Sequence, residues 1–351
     1  MMNPVRRMAG MFGADLGIDL GCSNTLVYVQ GRGILISEPT VIAIDKRTKR
    51  ALAIGLEGKR MIGKTPDSII AVCPLKDGVI ADFDAVEIML NYFIRKVHHS
   101  RMLNAHPRIV IGIPSGVTEV EKLAARNAAL AAGARSAFTI EEPLAAAIGA
   151  GLLINEATGT MIVDIGGGTT EVAVIALGGT VVNHSLRLGG DAIDEAIIQF
   201  ARKQQNLVIG ERTAENAKIA GGSAYPMDEE VRVRLRGRDL LTGFPKAVKL
   251  SSVELREAIS GPVGAIIELI RTTLEETPPE LVADILTNGI ALTGGGALLP
   301  GLDRRITAEL RVPVFRAEDP LTCVARGTGR VAESLHVYHR ALANSQRRRS
   351  A

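Results

Sequence analysis

Short apolar runs rich in β-branched residues alternate along this chain with longer stretches in which apolar positions recur every three or four residues. The first pattern reads as buried strand and the second as amphipathic helix. Residues 17–29 and 34–44 read as strands, and a small mixed excursion follows at 45–75. Val86, Met89, Leu90, Phe93, Ile94 and Val97 share one face of a helix expected over 84–98. Residues 109–113 read as a buried strand ending at Pro114-Ser115-Gly116, and Thr118 with Glu121 forms a capping box for a helix to about residue 132. An Ala-rich helix is expected after Pro143 to about residue 150, a second strand pair over 160–185, and a helix near 191–205. A loop at 206–212 leads to a helical start at Thr213, and a Gly- and Arg-rich excursion covers 221–250. Ser251 and Glu254 form another capping box, opening a helix toward Thr277 that Pro278-Pro279 stops. Residues 290–293 read as a strand, and the last helix falls near 322–343. Strands alternating with helices in both halves argue two related α/β domains, each with a small insertion.

Two segments in this pattern look like copies of one device. The first is Asp19-Leu20-Gly21-Cys22-Ser23-Asn24-Thr25 and the second Asp164-Ile165-Gly166-Gly167-Gly168-Thr169-Thr170, each between apolar runs. Such a stretch reads as a β-hairpin whose tip is built from small polar residues. Backbone N–H groups in a tip of this kind converge on one spot and can hold a phosphate. The Asp before the turn offers oxygen to a hard cation such as Mg²⁺, through water because Mg²⁺ gives up its shell reluctantly. One copy alone is often only a turn. Two copies point to a duplicated fold that clamps a nucleoside triphosphate between its halves.

On that reading the tips 21–25 and 166–170 donate to phosphate, and Asp19 and Asp164 stand on the Mg²⁺ side. Glu142, just before Pro143, can accept a hydrogen bond from an attacking water, or serve as a helix-cap carboxylate. Gly294, Gly295 and Gly296 follow a strand and either let a ligand approach the backbone or make a tight turn. Glu215 and Lys218 can reach a ribose or base, or form a surface pair three residues apart. A Walker A sequence is absent, and Gly166-Gly167-Gly168 does not open a helix as a Rossmann fingerprint requires.

Composition narrows the classes further. The 351 residues suffice for about two domains, and 46% hydrophobic with 23% charged residues is an ordinary globular balance. Net charge is only +3, part of it in the Arg347-Arg348-Arg349 tail, which reads as a solvated end. With no Trp and 3% aromatics, base-stacking platforms are lacking and no nucleic-acid partner is expected. Cys22, Cys73 and Cys323 are scattered and odd in number, which fits a reducing cytoplasm without a disulfide framework. No Cys/His cluster has zinc spacing, no apolar run is long enough to span a membrane, and no signal peptide is evident. Met1, Val5, Met8 and Phe12 fall at helical spacing with Arg6 and Arg7 on another side. That reads either as a membrane-surface helix or as an unstructured leader.

Taken together, the motifs resemble the actin, Hsp70 and sugar-kinase superfamily, and most closely its bacterial MreB family. The resemblance rests on both Asp-x-Gly hairpins, Lys59-Arg60-Met61-Ile62-Gly63, Asp77-Gly78-Val79-Ile80-Ala81-Asp82-Phe83, and Pro114-Ser115-Gly116-Val117-Thr118-Glu119-Val120-Glu121. It continues through Glu141-Glu142-Pro143-Leu144-Ala145-Ala146-Ala147-Ile148-Gly149, Gly210-Glu211-Arg212-Thr213-Ala214-Glu215, Arg236-Gly237-Arg238-Asp239, Leu292-Thr293-Gly294-Gly295-Gly296-Ala297 and Ala317-Glu318-Asp319-Pro320-Leu321. It covers residues 12–335 without a large gap.

The resemblance implies an actin-like fold around a nucleotide cleft, with an amphipathic segment at 1–12 and four subdomains. These are 13–40 with 76–148 and 323–351, 41–75, 149–190 with 251–322, and 191–250. It implies ATP and Mg²⁺ as ligands, slow ATP hydrolysis, and homopolymer filaments on the inner face of the cell membrane. Those filaments would organise cell-wall synthesis, with the wall-elongation machinery as partner, and maintain rod shape. By position it makes Glu142 the hydrolytic residue, Asp19 and Asp164 the Mg²⁺-side aspartates, and Glu215 with Lys218 nucleoside contacts. Met1, Val5, Met8, Phe12, Met102 and Leu103 become membrane-touching residues. Two departures stand out: Cys22-Ser23 where Thr-Ala is usual, and Asn216-Ala217-Lys218-Ile219-Ala220-Gly221-Gly222, which lacks the charged and apolar residues common after that lysine. An Hsp70-like chaperone would need a substrate-binding region beyond the last helix, where only a short tail is expected. A sugar kinase would need a further carboxylate motif as base for its substrate hydroxyl, and none is found.

Overall fold

The alternation around Asp19 folds as a hairpin. β1 (Leu16–Leu20) turns back antiparallel into β2 (Asn24–Val29), placing Asp19 opposite Leu26 and Leu20 opposite Thr25. This computed structural model describes residues 14–76, 78–98, 106–338 and 342. Its chain divides into two units, one of residues up to 158 with 175–181 and 321 onward, the other of 159–174 with 182–320.

In the first unit β3 (Gly33–Pro39) continues the hairpin antiparallel. The strand expected to run to residue 44 breaks after Pro39, and β4 (Ile42–Asp45) resumes in a separate sheet. Thr40 has turned away to bond the hairpin tip, its N–H reaching the Ser23 carbonyl at 3.0 Å. The excursion at 45–75 is ordered as β5 (Ala51–Ile54), α1 (Leu56–Met61) and β6 (Ile69–Val72), giving a sheet in the order β5-β4-β6. A short ribbon of β7 (Leu75–Lys76) and β8 (Val79–Ile80) leads into α2 (Phe83–His98), whose Val86, Met89, Leu90 and Phe93 are wholly buried. Then come β9 (Arg108–Ile113), α3 (Glu119–Ala131), β10 (Ser136–Glu141) and α4 (Glu142–Ala150). The capping box of α3 is as expected: Glu121 N–H donates to Thr118 Oγ1 at 3.3 Å, and Thr118 N–H to Glu121 Oε2 at 2.6 Å. The main sheet runs β10-β9-β1-β2-β3, with β9 parallel to both β1 and β10.

The second unit repeats that plan. β11 (Thr160–Ile165), β12 (Thr170–Ala176) and β13 (Gly179–Leu186) are neighbours in a sheet. α5 (Gly190–Gln205), β14 (Leu207–Val208) and α6 (Glu211–Gly221) precede β15 (Arg232–Asp239) and β16 (Pro245–Ser251), and the three short strands form a small sheet. The single helix expected from 251 to 277 is two, α7 (Ser252–Ala258) and α8 (Ser260–Glu275). Pro262 has no N–H to return to the Ala258 carbonyl, so the helix breaks at Ile259. Pro278-Pro279 stops α8 and also starts α9 (Pro279–Asn288), where a proline without its N–H costs nothing. β17 (Ile290–Thr293), α10 (Leu302–Leu310) and β18 (Val314–Arg316) complete the sheet order β13-β12-β11-β17-β18. Read from the other edge, this matches the first sheet's order, with β17 parallel to both β11 and β18.

The last helix, α11 (Cys323–Glu333), belongs to the first unit and is shorter than the expected 322–343. Its buried positions end at Ala332, while Leu335 is only half-buried and Val337 is exposed. Residues 334–337 form a turn, and beyond it Leu342 is again helical and buried. Glycine lets α11 lie against α4: a Cβ on Gly327 would stand 1.8 Å from the Ala145 carbonyl oxygen, and one on Gly149 1.8 Å from that of Cys323. Hence the Ala-rich α4 is buried from Glu142 to Gly149.

Candidate nucleotide site

Each unit carries one copy of the candidate motif. In the first, the tip after Asp19 is tight, since a Cβ on Gly21 would meet the Asn24 carbonyl oxygen at 2.9 Å and the Asp19 carboxylate at 3.7 Å. Asp19 is half-buried, directly beside the turn. The tip is braced by Thr40, whose Oγ1 donates to the Gly21 carbonyl at 2.6 Å and lies 2.8 Å from Thr25 Oγ1. The Gly78 N–H reaches Cys22 Sγ at 3.1 Å, and the Cys73 thiol donates to the Cys22 carbonyl at 2.9 Å. Ser23 remains half-buried and Asn24 exposed.

Glu142 is buried at the first position of α4. The cap position falls one residue earlier, on Glu141, whose side chain makes no cap hydrogen bond. A Cβ on Gly112 would lie 3.4 Å from Glu142 Cγ. Gly112 is also the cross-strand partner of Asp19. The fold therefore brings Asp19, the tip and Glu142 to one end of the first sheet, with Gly112 leaving room between the carboxylates.

In the second unit Asp164 is buried, and Thr293 Oγ1 on β17 donates to it at 2.9 Å. Burial pushes its carboxyl up to about 6, while the Thr293 bond pulls the other way. The tip closes with the Gly166 N–H on the Thr169 carbonyl at 2.8 Å. The start of α5 then grips it through main chain, Gly190 N–H to the Gly166 carbonyl and Asp191 N–H to the Gly167 carbonyl, both at 2.9 Å. Gly189 is required for this approach, because its Cβ would sit 2.6 Å from both carbonyl oxygens. Gly167 and Gly168 remain half-buried at the tip and Thr169 is buried.

Lys218 is no surface partner of Glu215. Its ammonium donates to Asp194 Oδ2 at 2.9 Å and to the Gly190 carbonyl at 3.0 Å, which ties α6 to the segment that grips the tip. Burial pushes the Asp194 carboxyl up to about 6; Lys218 opposes this, and Glu215 and Asp191 add to it. Asp194 and Gly190 escaped the sequence reading, although Gly189-Gly190-Asp191 opening a helix was the available signal. Gly294 has φ 77°, and its Cβ would stand 2.3 Å from the Ile165 carbonyl oxygen and 2.8 Å from Asp164 Oδ1. A Cβ on Gly296 would stand 2.2 Å from Ile165 Cγ2. Both glycines thus serve the close packing of the 3₁₀ turn Gly295–Leu298 on the end of β11.

Among the described residues no group of three or more His, Cys, Asp or Glu is placed to hold a metal ion. A cation that keeps its water shell and needs only one or two carboxylates plus phosphate oxygens suits this donor set, as Mg²⁺ does. The proposed membrane residues Met1, Val5, Met8, Phe12, Met102 and Leu103 lie outside the described residues. No helix among the described residues is long and apolar enough to cross a membrane.

A family model described as MreB/Mbl protein matches residues 13–340. The cell shape-determining protein MreB of Escherichia coli is 50% identical over 338 residues, covering 95% of this chain and 97% of that protein. MreB5 of Spiroplasma citri, solved bound to ADP and also to AMPPNP, superimposes with a TM-score of 0.88 at 37% identity, over 93% of this chain and 98% of its own. A structure described as a MamK double helical filament matches with a TM-score of 0.76 at 26% identity, over 91% of this chain and 98% of its own. The duplicated sheets are therefore those of the actin-like fold. With the family model spanning nearly the whole chain and half the residues identical to a curated member, this chain belongs to the MreB/Mbl protein family.

Proposed function

We propose that the chain is a nucleotide-switched filament subunit. It binds ATP with Mg²⁺, hydrolyses the ATP slowly, and assembles into homopolymers on the inner face of the cytoplasmic membrane. There the filaments organise cell-wall synthesis with the elongation machinery and maintain rod shape. The observation that carries this reading is the repeated Asp-x-Gly hairpin, braced in each unit and set beside a carboxylate. Support comes from relatives solved with ADP, with AMPPNP and as a double helical filament, and from the cell-shape role named for the Escherichia coli protein.

In this reading Gly21, Cys22, Ser23, Asn24 and Thr25 hold phosphate from the first unit, and Gly166, Gly167, Gly168 and Thr169 from the second. Glu215, Lys218 and Gly294–Gly296 stand on the nucleoside side. Asp19 and Asp164 would hold Mg²⁺ through water, and the ion would offset phosphate charge. Glu142 accepts a hydrogen bond from the water that attacks the γ-phosphate, aligning its lone pair with phosphorus. The four-subdomain division inferred from sequence is part of the same proposal.

Pelleting the full chain with and without ATP and Mg²⁺, followed by imaging of the pellet, tests the reading. Filaments that need nucleotide are expected; a pellet that ignores nucleotide overturns it. Membrane attachment is tested by flotation with anionic liposomes. Removing residues 1–12 together with Met102→Ser and Leu103→Ser should leave filaments intact but unbound, because many weak apolar and basic contacts act by avidity.

A further inference from the structure

The thiols around the first hairpin tip have no part in ATP hydrolysis as described above. Cys73 is exposed, Cys22 half-buried and Cys323 buried. Cys22 and Cys73 are 51 positions apart, yet the Cys73 thiol sits 2.9 Å from the Cys22 carbonyl oxygen and 3.1 Å from that of Leu75. The Cys22 sulfur accepts the Gly78 N–H at 3.1 Å. Cys73 and Gly78 therefore hold residue 22 by its carbonyl and its side chain respectively, and both cysteines lie in the first unit. Cys22 is also one of the departures of this chain from the family pattern.

We propose that Cys22 and Cys73 form a modification site, a dithiol that hydrogen peroxide oxidises to a disulfide, and that this disulfide closes the first hairpin tip to nucleotide phosphate. The second half of the proposal rests on the reading of that tip as a phosphate site. A disulfide needs Cα atoms within about 7 Å and its two Cβ atoms about 3.5–4.5 Å apart. Cys73 Sγ already lies 2.9 Å from the Cys22 carbonyl oxygen, so bond formation starts from the two residues in contact and requires their sulfurs to turn toward each other.

The chemistry balances without a metal. The exposed Cys73 thiolate attacks one peroxide oxygen, the O–O bond breaks, and the departing hydroxide takes a proton to become water. Cys73 is then a sulfenic acid. The Cys22 thiolate attacks that sulfur, the S–S bond forms, the S–O bond breaks, and the second oxygen leaves as water. Two thiols are oxidised, one peroxide is reduced, and two waters form. Reducing thiols of the cytosol reverse the reaction, as suits a transient intracellular disulfide.

Closing the bond gives up the contacts from Cys73 to the two carbonyls and from Gly78 to Cys22. These contacts set where the tip stands. A tip that has moved gives up hydrogen bonds to charged phosphate oxygens, and losing one such bond weakens binding on the order of tenfold or more.

The test uses the full chain, reduced or treated with hydrogen peroxide, with peptide mapping under non-reducing conditions and ATP binding by calorimetry. The expected result is a Cys22–Cys73 linked peptide and ATP affinity lowered by about tenfold or more, restored by dithiothreitol. Saturating ATP and Mg²⁺ beforehand should slow the crosslink. Cys73→Ser, compared with its own untreated sample, should lose both the crosslink and the peroxide effect on ATP affinity. Cys73 driven to sulfinic acid with Cys22 left free, or Cys73 bridges between two chains, would overturn the dithiol. A crosslinked protein with unchanged ATP affinity would overturn its control of the tip. Failure of the reduced wild type to bind ATP would instead count against the nucleotide reading, while the peptide map still decides the dithiol.

Discussion

The first hairpin tip is held through three side chains besides the Thr40 N–H on the Ser23 carbonyl, the second through main chain. Around Gly21 the braces are the Thr40 hydroxyl and the thiols of Cys22 and Cys73. Around Gly166 they are two amides at the start of α5, admitted by Gly189. The carboxylates differ as well: Asp19 is half-buried, whereas Asp164 is buried against Thr293 with its carboxyl pushed up to about 6. The same asymmetry recurs after the outer parallel strands. Glu141-Glu142-Pro143 begins on the last residue of β10 and buries Glu142, whereas Glu318-Asp319-Pro320 follows β18 and leaves Asp319 exposed at φ 48°. Duplication kept the turn and its carboxylate. The surroundings then specialised each copy, so equal motifs do not predict equal responses to mutation.

The largest expected difference separates Glu142 from Asp319. Glu142→Ala should lower phosphate release from ATP by about 10²–10⁴-fold while ATP still binds. Asp319→Ala should leave the rate unchanged. A wild-type rate in Glu142→Ala would remove the carboxylate from the reaction and end the functional distinction between the two Glu-x-Pro-like turns.

The buried aspartate makes the next prediction. Because the folded carboxyl of Asp164 is raised from 3.8 to about 6, the folded state holds that proton more tightly than the unfolded chain. Its contribution to stability is complete below pH 4 and is lost as pH rises through 6. At pH 7 the ionised group is a burden, so Asp164→Asn should stabilise the nucleotide-free protein by up to about 3 kcal/mol, read from urea unfolding. The same substitution should weaken Mg²⁺-dependent nucleotide binding, and wild-type binding should fall as pH drops through 6. Asp19→Asn should show the loss of binding without the gain in stability. Equal stability changes for the two would mean that their burial differs less than the geometry indicates.

Bracing is probed by Gly189→Ala and Thr40→Val. The new Cβ at 189 meets two carbonyl oxygens at 2.6 Å, so the tip must shift at a cost of roughly 1–3 kcal/mol. Calorimetry should show ATP affinity about 10–100-fold lower, if that strain falls on the bound state. Thr40→Val keeps the shape but strands the Gly21 carbonyl and the Thr25 hydroxyl, a loss of about 1 kcal/mol in thermal or urea unfolding. The reverse order of effects would place the stiffer brace at the first tip.

Both hairpins, the two capping boxes, the amphipathic face of α2 and the stop at Pro278-Pro279 were legible in the sequence. Each depends on residues within a few positions of one another, where backbone chemistry and periodicity act directly. Legibility failed where distant chain decides. The break at Ile259 is the local exception, since the N–H missing at Pro262 already stands in the sequence. The surface pair once open for Glu215 and Lys218 gave way to a Lys218–Asp194 bond across 24 positions.

By itself the sequence determined that this chain carries a duplicated Asp-x-Gly hairpin within alternating strands and helices, and with that its family. Local turn geometry and hydrophobic period are properties of neighbouring residues. Only the tertiary structure decided that Asp164 is buried while Asp19 is not, and that Gly189 must be glycine. The same holds for Thr40 and Cys73 reaching the first tip. Burial, desolvation and close backbone approach depend on which segments meet, and the chain states that only once it has folded.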